Sequence, residues 1–167
     1  MNSPQVEQTV SHSATNSTRQ EQTLNNASKD VLFYVLNSSD PKSREQFLNK
    51  LLKKIWSEKR LCDVRFDSEQ DALRYDLALW NAHPTSFIPH GVAKQVPAFI
   101  QLYGEQIERP TRDVLVNLHP EFPTVFEQYQ RTIEILDQSD YLIQMGRERW
   151  KAYKAKGLAP TVHKIGF

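Results

Sequence analysis

The chain has 167 residues and a formal net charge of +1, with 39% hydrophobic and 25% charged residues. This near-neutral balance disfavours tight, non-specific binding to nucleic acid, and the length suits one domain with an extension. The single cysteine, Cys62, excludes an internal disulfide and a cysteine-rich zinc site, and it fits a protein of a reducing cytoplasm.

Residues 1–29 differ in composition from the rest of the chain. Seventeen of them are Ser, Thr, Asn or Gln, and none is aromatic. Such a segment buries too little apolar area to offset the entropy of ordering, so we predict a disordered polar extension. It shows no secretory signal pattern, and no apolar run in the chain approaches membrane-spanning length. Residues 30–167 are predicted to form a single domain.

The domain opens with a continuous apolar run at residues 31–36, which is typical of a strand buried on both faces. A capping-box pattern, Ser43 with Gln46, predicts a helix from there to about residue 59. A second strand is predicted at residues 61–66. Its alternation of apolar and charged residues predicts one face that is less buried, the face carrying Asp63 and Arg65.

A second helix is predicted from Ser68 to about residue 82, and four residues would form its inner stripe: Ala72, Leu73, Leu77 and Trp80. Further strands are predicted at residues 87–90, 98–103, 113–118 and 131–136, with a short helix at 122–129. Early alternation of strands and long helices favours parallel crossovers. The predicted class is therefore α/β, a three-layer, open, mostly parallel sheet with a Rossmann-like topology.

The last predicted helix, residues 139–157, carries the most informative pattern. Ser139 suits its N-cap and Gly157 a left-handed position after its end. One face would consist of Leu142, Met145, Gly146, Arg149, Trp150 and Tyr153. Beside it, Arg147, Lys151 and Lys154 form a row that we name the basic ridge. The ridge is either a solvated helix face or a surface that binds an acidic peptide with an apolar end.

The sequence offers no convincing catalytic, cofactor or metal site. The loop after the first strand contains neither of the two glycine-rich phosphate-binding motifs, G-x-G-x-x-G and G-x-x-x-x-G-K-[ST]. No nucleotide site is therefore expected, despite the nucleotide-binding-like topology. The histidines do not have the spacing typical of metal ligands, and Cys62 is predicted to be a buried structural thiol. Four carboxylates cluster near the second helix, and they either cap that helix or hold two metal ions: Asp63, Asp67, Glu69 and Asp71.

Two motifs, taken together, resemble one family. The first is ALWNA at residues 78–82 followed by FIPH at 87–90, and the second is RERWKAY at 147–153. With RDVLV at 112–116, they resemble the chi subunit of bacterial DNA polymerase III over about residues 30–165. The resemblance implies a cytoplasmic, non-catalytic subunit of the clamp-loader complex. Such a subunit pairs 1:1 with the psi subunit, binds the acidic, Phe-terminated tail of single-stranded-DNA-binding protein, and meets nucleic acid mainly indirectly.

The resemblance also implies site residues. Arg147 matches the position that binds the terminal carboxylate of the tail, Lys151 and Lys154 would face its acidic residues, and Trp150 would form a wall. Ile143 stands where relatives can carry Lys, so acidic contacts would be fewer here.

The first motif is implied to form the psi surface, with Phe87, Trp80, Pro89 and His90, although the helical pattern alone also allows Trp80 in the core. Two alternatives stay open. One is a nucleotide-processing enzyme that uses the carboxylate cluster. The other is a direct nucleic-acid binder in which Trp150 and Tyr153 stack on bases.

Overall fold

The computed structural model describes residues 29–82, 88–92 and 98–167. All of the predicted N-terminal extension except Lys29 lies outside these ranges. The strands are β1 Asp30–Leu36, β2 Cys62–Arg65, β3 His90–Val92, β4 Ile100–Tyr103, β5 Val114–Asn117, β6 Arg131–Leu136 and β7 Thr161–Ile165. The helices are α1 Pro41–Ser57, α2 Glu69–Ala82 and α3 Asp140–Ala155, with a 3-10 helix at Thr124–Gln128.

The seven strands form one parallel sheet in the order β3-β4-β2-β5-β6-β1-β7. One apolar core lies between the sheet and the helices α1 and α2. A second core lies on the opposite face, under α3 and the 3-10 helix. The predicted three-layer α/β class is thus confirmed. Within the described ranges, no helix combines the length and apolarity needed to cross a membrane.

The clearest departures from the sequence prediction concern the start of one helix, the position of one strand and one strand that was not predicted. Helix α1 begins at Pro41 rather than Ser43, because the Asp40 side chain accepts a hydrogen bond from the Lys42 amide and Pro41 suits the first helical turn. The third strand covers His90–Val92; of the predicted range 87–90, residues 88 and 89 precede this strand and residue 87 lies outside the described part of the chain. Strand β7 was not predicted, since its five residues are mostly exposed and carry no continuous apolar signal.

The expectation of a less buried face on β2 was wrong. Asp63 and Arg65 are only 0% and 8% exposed, because β2 lies inside the sheet between β4 and β5. Their polar atoms have partners there. The Asp63 carboxylate accepts from the Tyr129 hydroxyl at 2.7 Å and the Thr111 amide at 2.8 Å. Arg65 donates to Asn117 Oδ1 and two backbone carbonyls. On the other face Cys62 is fully buried, as predicted, and burial raises the pKa of its thiol.

The predicted inner stripe of α2 was largely wrong. Ala72 is buried as expected, but the other inward residues are Tyr75 and Leu79. The Tyr75 ring packs 5.2 Å from the Phe66 ring, and its hydroxyl donates to Asn49 Oδ1 at 2.5 Å. This large side chain with a satisfied hydroxyl fixes the rotation of the helix. As a result, three predicted core residues lie on the outside: Leu73, Leu77 and Trp80, which are 49%, 64% and 49% exposed.

Candidate functional site

Helix α3 is held on the sheet by a buried ionic cluster around Glu134 of β6. The Glu134 carboxylate is fully buried and accepts from Arg149 Nε at 3.0 Å, the Tyr153 hydroxyl at 2.9 Å and Asn117 Nδ2 at 3.0 Å. Arg149 also donates to the Pro120 carbonyl at 2.7 Å. Burial raises the pKa of Glu134, while Arg149 and the hydrogen bonds oppose that rise. Every formal charge in this cluster is therefore compensated, and α3 has a fixed orientation.

The two ends of α3 agree with the predicted bounds. Ser139 occupies the N-cap position, although its hydroxyl donates to Asp137 Oδ1 instead of capping the helix. Gly157 has φ +84°, a left-handed conformation that favours glycine, and its amide donates to the Lys154 carbonyl. The Leu158 amide reaches back to the Tyr153 carbonyl and closes the helix end.

The basic ridge faces outward. Arg147, Lys151 and Lys154 are exposed, and none of their side chains makes a hydrogen bond or ion pair with a residue in the described part of the chain. Lys154 Nζ lies 5.8 Å from the centre of the Trp150 ring. Lys156, five residues after Lys151 and off the ridge, approaches Glu127 at 3.9 Å. The ridge therefore presents three cations whose charges remain available to a ligand.

Trp150 gives the ridge an apolar neighbour. It is half-buried and packs edge-on against Phe33 of β1, with ring centres 5.4 Å apart. Phe33 is in register with Val162 of β7. Two residues further along the strands, on the same face of the sheet, Val35 is in register with Lys164. Ile143, one turn before Arg147, is also half-buried. We name this area, from the basic ridge across Trp150 to Val162 and Lys164, the α3–β7 surface.

Strand β7 is the part of this surface that sequence reasoning missed. The alternation in Thr161–Ile165 and the preceding Pro160 were the available signals, but each is short and common outside strands. The nucleic-acid hypothesis required an exposed Tyr153 ring, and the structure does not provide one. Its side chain is fully buried against Glu134, so it offers no ring face for stacking on a base.

The second predicted surface is only partly described. Phe87 lies outside the described residues. Trp80 is exposed, and its ring centre lies 4.8 Å from that of His90. His90 itself is buried, with Nδ1 2.6 Å from the Ile88 carbonyl and Nε2 3.2 Å from Asp76 Oδ1. Pro89, which directly precedes His90, is half-buried. His90 thus lies beneath Trp80 as a support, while Trp80 faces outward.

Trp80 does not stand alone on that side. Leu73, Leu77 and Trp80 occupy positions i, i+4 and i+7 of α2 and are all exposed, so they form a continuous row that we name the α2 stripe. Exposed rows of large apolar residues are typical of protein-binding surfaces. The α2 stripe and the α3–β7 surface lie on opposite faces of the sheet.

The predicted carboxylate cluster does not converge on a metal site. Asp63 lies on the α3 face of the sheet, bonded to Tyr129. Asp67 and Asp71 line a cavity of about 160 Å³ on the opposite face, with Arg44 and Arg74. The Asp71 amide donates to Ser68 Oγ, and Glu69 and Asp71 lie in the first turn of α2. Glu69 and Asp71 thus match the helix-capping interpretation, whereas Asp63 and Asp67 precede the helix and have other surroundings.

One other group in the described ranges brings metal-ligating side chains together, namely Glu105, His119 and Glu121. Here His119 Nδ1 accepts a hydrogen bond from the Glu121 amide at 3.0 Å, which leaves the ring proton on Nε2, 3.9 Å from Glu105. Burial and the nearby Arg65 lower the pKa of His119. A protonated Nε2 beside a cationic guanidinium is a poor metal ligand.

Comparison with known proteins shows the family to which the chain belongs. Residues 29–161 match the family model described as DNA polymerase III chi subunit, HolC. Curated relatives include the DNA polymerase III subunit chi of Haemophilus influenzae, 29% identical over 83% of this chain and 99% of that protein. Those of Pseudomonas aeruginosa and Escherichia coli are 27% and 26% identical, covering 81% and 77% of this chain and 96% and 93% of theirs. The chain therefore belongs to the DNA polymerase III chi subunit family.

Proposed function

We propose that the protein is a non-catalytic accessory subunit of the DNA polymerase III clamp-loader complex in the bacterial cytoplasm. In this role it bridges the psi subunit and the C-terminal tail of single-stranded-DNA-binding protein during replication. Family membership supports its place in the replicase. The observation that carries the bridging role is the pair of separate surfaces, one basic and aromatic and one apolar, on opposite faces of the sheet.

The chemistry of the α3–β7 surface suits an acidic peptide that ends in an aromatic residue. A free terminal carboxylate needs a planar cationic fork, which Arg147 supplies. Acidic residues before the terminus would face Lys151 and Lys154, about 6 and 10 Å further along the helix by its rise per residue. Trp150, resting on Phe33, supplies an apolar wall for the peptide.

Magnitudes favour Arg147 as the main anchor. An exposed Lys–carboxylate pair contributes about 0.2–1 kcal/mol and is screened by salt. A bidentate Arg–carboxylate pair beside an aromatic wall is partly shielded from water, and hydrogen bonds to charged groups contribute about 1.5–3 kcal/mol. We therefore expect binding that depends strongly on Arg147 and only moderately on salt.

The test is a titration with a synthetic peptide that ends in Asp-Ile-Pro-Phe and has a free carboxylate. Arg147→Ala is expected to raise Kd at least about tenfold, and Lys151→Ala about two- to fivefold, following the magnitudes above. Amidating the peptide should weaken binding to the wild type by about as much as Arg147→Ala does. The matched control is Arg74→Ala, which removes an exposed helical arginine on the opposite face of the sheet. Unchanged affinity in Arg147→Ala would show that the carboxylate is bound elsewhere.

The α2 stripe is the proposed psi surface, extended from Trp80 along the helix to Leu77 and Leu73. The exposure of these three side chains supports it, because water-facing leucines and tryptophan in one row gain free energy when a partner covers them. Phe87 follows Trp80 closely in sequence and belongs to the same proposed surface. His90 would act indirectly, by supporting the Trp80 ring.

A further inference from the structure

Strand β7 is the last strand of the sheet and has one open side. It pairs with β1, and no described strand lies beyond it. Four of its five residues are exposed. Open sheet edges present unpaired backbone groups that can pair with an added strand. The edge therefore has the backbone chemistry needed to bind an extended peptide.

The directions of the backbone groups follow from the pairing with β1. The Asn37 amide donates to the Ile165 carbonyl at 3.2 Å, so the carbonyl of Ile165 points toward β1. Successive residues of a strand direct their backbone groups to opposite sides. The amides and carbonyls of Val162 and Lys164 consequently point outward, to the open edge. In a parallel pairing, the Val162 carbonyl and the Lys164 amide would together bind one residue of an added strand.

The same two residues place their side chains on the peptide-binding side of the sheet. Val162 is in register with Phe33, which contacts Trp150, and Lys164 with Val35. Because α3 connects the parallel strands β6 and β7, it runs opposite to them. Lys164 therefore lies closer to the N-terminal end of the helix than Val162 does. A strand added beside β7 would thus run along the edge of the α3–β7 surface.

We propose that the acidic tail peptide binds in an extended conformation as an eighth strand on β7. This inference rests on the proposed function and specifies how the peptide is held. The positive charges of Lys164, Arg147 and Lys151 complement the acidic residues of such a peptide. Its backbone hydrogen-bonds to Val162 and Lys164, as in other cases of β-strand addition. Binding would then combine sequence-independent backbone bonds with the cation contacts of the basic ridge.

The first test measures amide hydrogen exchange by NMR in the full chain, with and without a saturating amount of the Asp-Ile-Pro-Phe peptide. The Lys164 amide is expected to exchange at least about tenfold more slowly in the complex, since it gains a hydrogen bond. The His163 amide points to β1 and serves as the internal control, with little change expected. Equal exchange of Lys164 in both states would overturn the proposal.

The second test separates the backbone bond from the lysine charge. Lys164→Gln removes the charge alone, and Lys164→Pro removes the charge and the outward amide, at an edge position where proline is tolerated. Lys164→Pro is expected to bind the peptide about two- to tenfold more weakly than Lys164→Gln, the range for one hydrogen bond. Peptide binding that depends on Arg147 but is equal in these two variants would refute the added strand and leave the proposed function intact. Loss of Arg147 dependence would refute both.

Discussion

At the scale of single residues, the most consequential pair is Glu134 with Arg149. The sequence indicates an inward-facing arginine on the last helix, but only the structure identifies its partner, a glutamate in the middle of β6. Both side chains are at most 3% exposed. The pair fixes the rotation of α3, and this rotation directs Arg147 and Lys151 to the solvent. A core residue thereby controls the geometry of the proposed binding surface.

Arg149→Met is expected to destabilise the protein by about 3–5 kcal/mol, because it leaves the Glu134 carboxylate buried without its cation. Glu134→Gln combined with Arg149→Met should recover part of this loss, since no buried charge then remains. The measurement is the free energy of unfolding in urea for both single variants and the double variant, analysed as a double-mutant cycle. Additive effects would show that the two side chains do not interact.

At the scale of elements, α2 shows how a helix with apolar residues on more than one side resolves its orientation. Both candidate stripes contain large apolar residues, and a hydrophobic pattern alone cannot rank them. Tyr75 determines which side of the helix is buried, because its ring packs on Phe66 and its hydroxyl donates to Asn49. The other apolar row, from Leu73 to Trp80, is left exposed and forms the α2 stripe.

Leu77→Glu is expected to abolish binding of the psi subunit while leaving peptide binding unchanged, because it places a charge in the centre of the α2 stripe. Leu77 is 64% exposed, so the free energy of unfolding should change by no more than about 0.5 kcal/mol. Leu61→Glu, the same change at another exposed leucine, is the matched control. Co-purification and titration calorimetry give the readout, and retention of psi by Leu77→Glu would exclude this stripe as its surface.

At the scale of the whole molecule, the sheet separates the two surfaces. The α2 stripe lies on the face covered by α1 and α2, whereas the α3–β7 surface lies on the opposite face, toward the β7 end. Seven strands at about 4.8 Å spacing make the sheet roughly 29 Å wide. This separation would leave room for both proposed partners at once, which the proposed bridging role requires.

Simultaneous binding without coupling is the expected result. The Kd for the Asp-Ile-Pro-Phe peptide should change less than about twofold when the psi subunit is bound, since no described side chain belongs to both surfaces. The measurement compares peptide titrations of the free chain and of its 1:1 complex with psi, whose stoichiometry is checked by light scattering. A change of tenfold or more would correspond to about 1.4 kcal/mol of coupling and would require a conformational link across the sheet.

The sequence by itself determined the class of fold, most of the elements and the limits of the last helix. Apolar runs, helix periodicity and the Ser139 and Gly157 end signals are local properties, so they can be recognised without knowing the neighbours. The exposed basic ridge followed from the same periodicity. The resemblance of residues 147–153 to a known motif then gave that ridge a proposed ligand.

Only the tertiary structure decided which face of α2 is buried, that Asp63 and Arg65 lie inside the sheet, and that β7 completes it. These features depend on partners distant in sequence: Asn49 for Tyr75, Tyr129 for Asp63, and β1 for β7. A short polar segment becomes a strand when an open edge supplies its hydrogen bonds, and no pattern within the segment itself reports that edge.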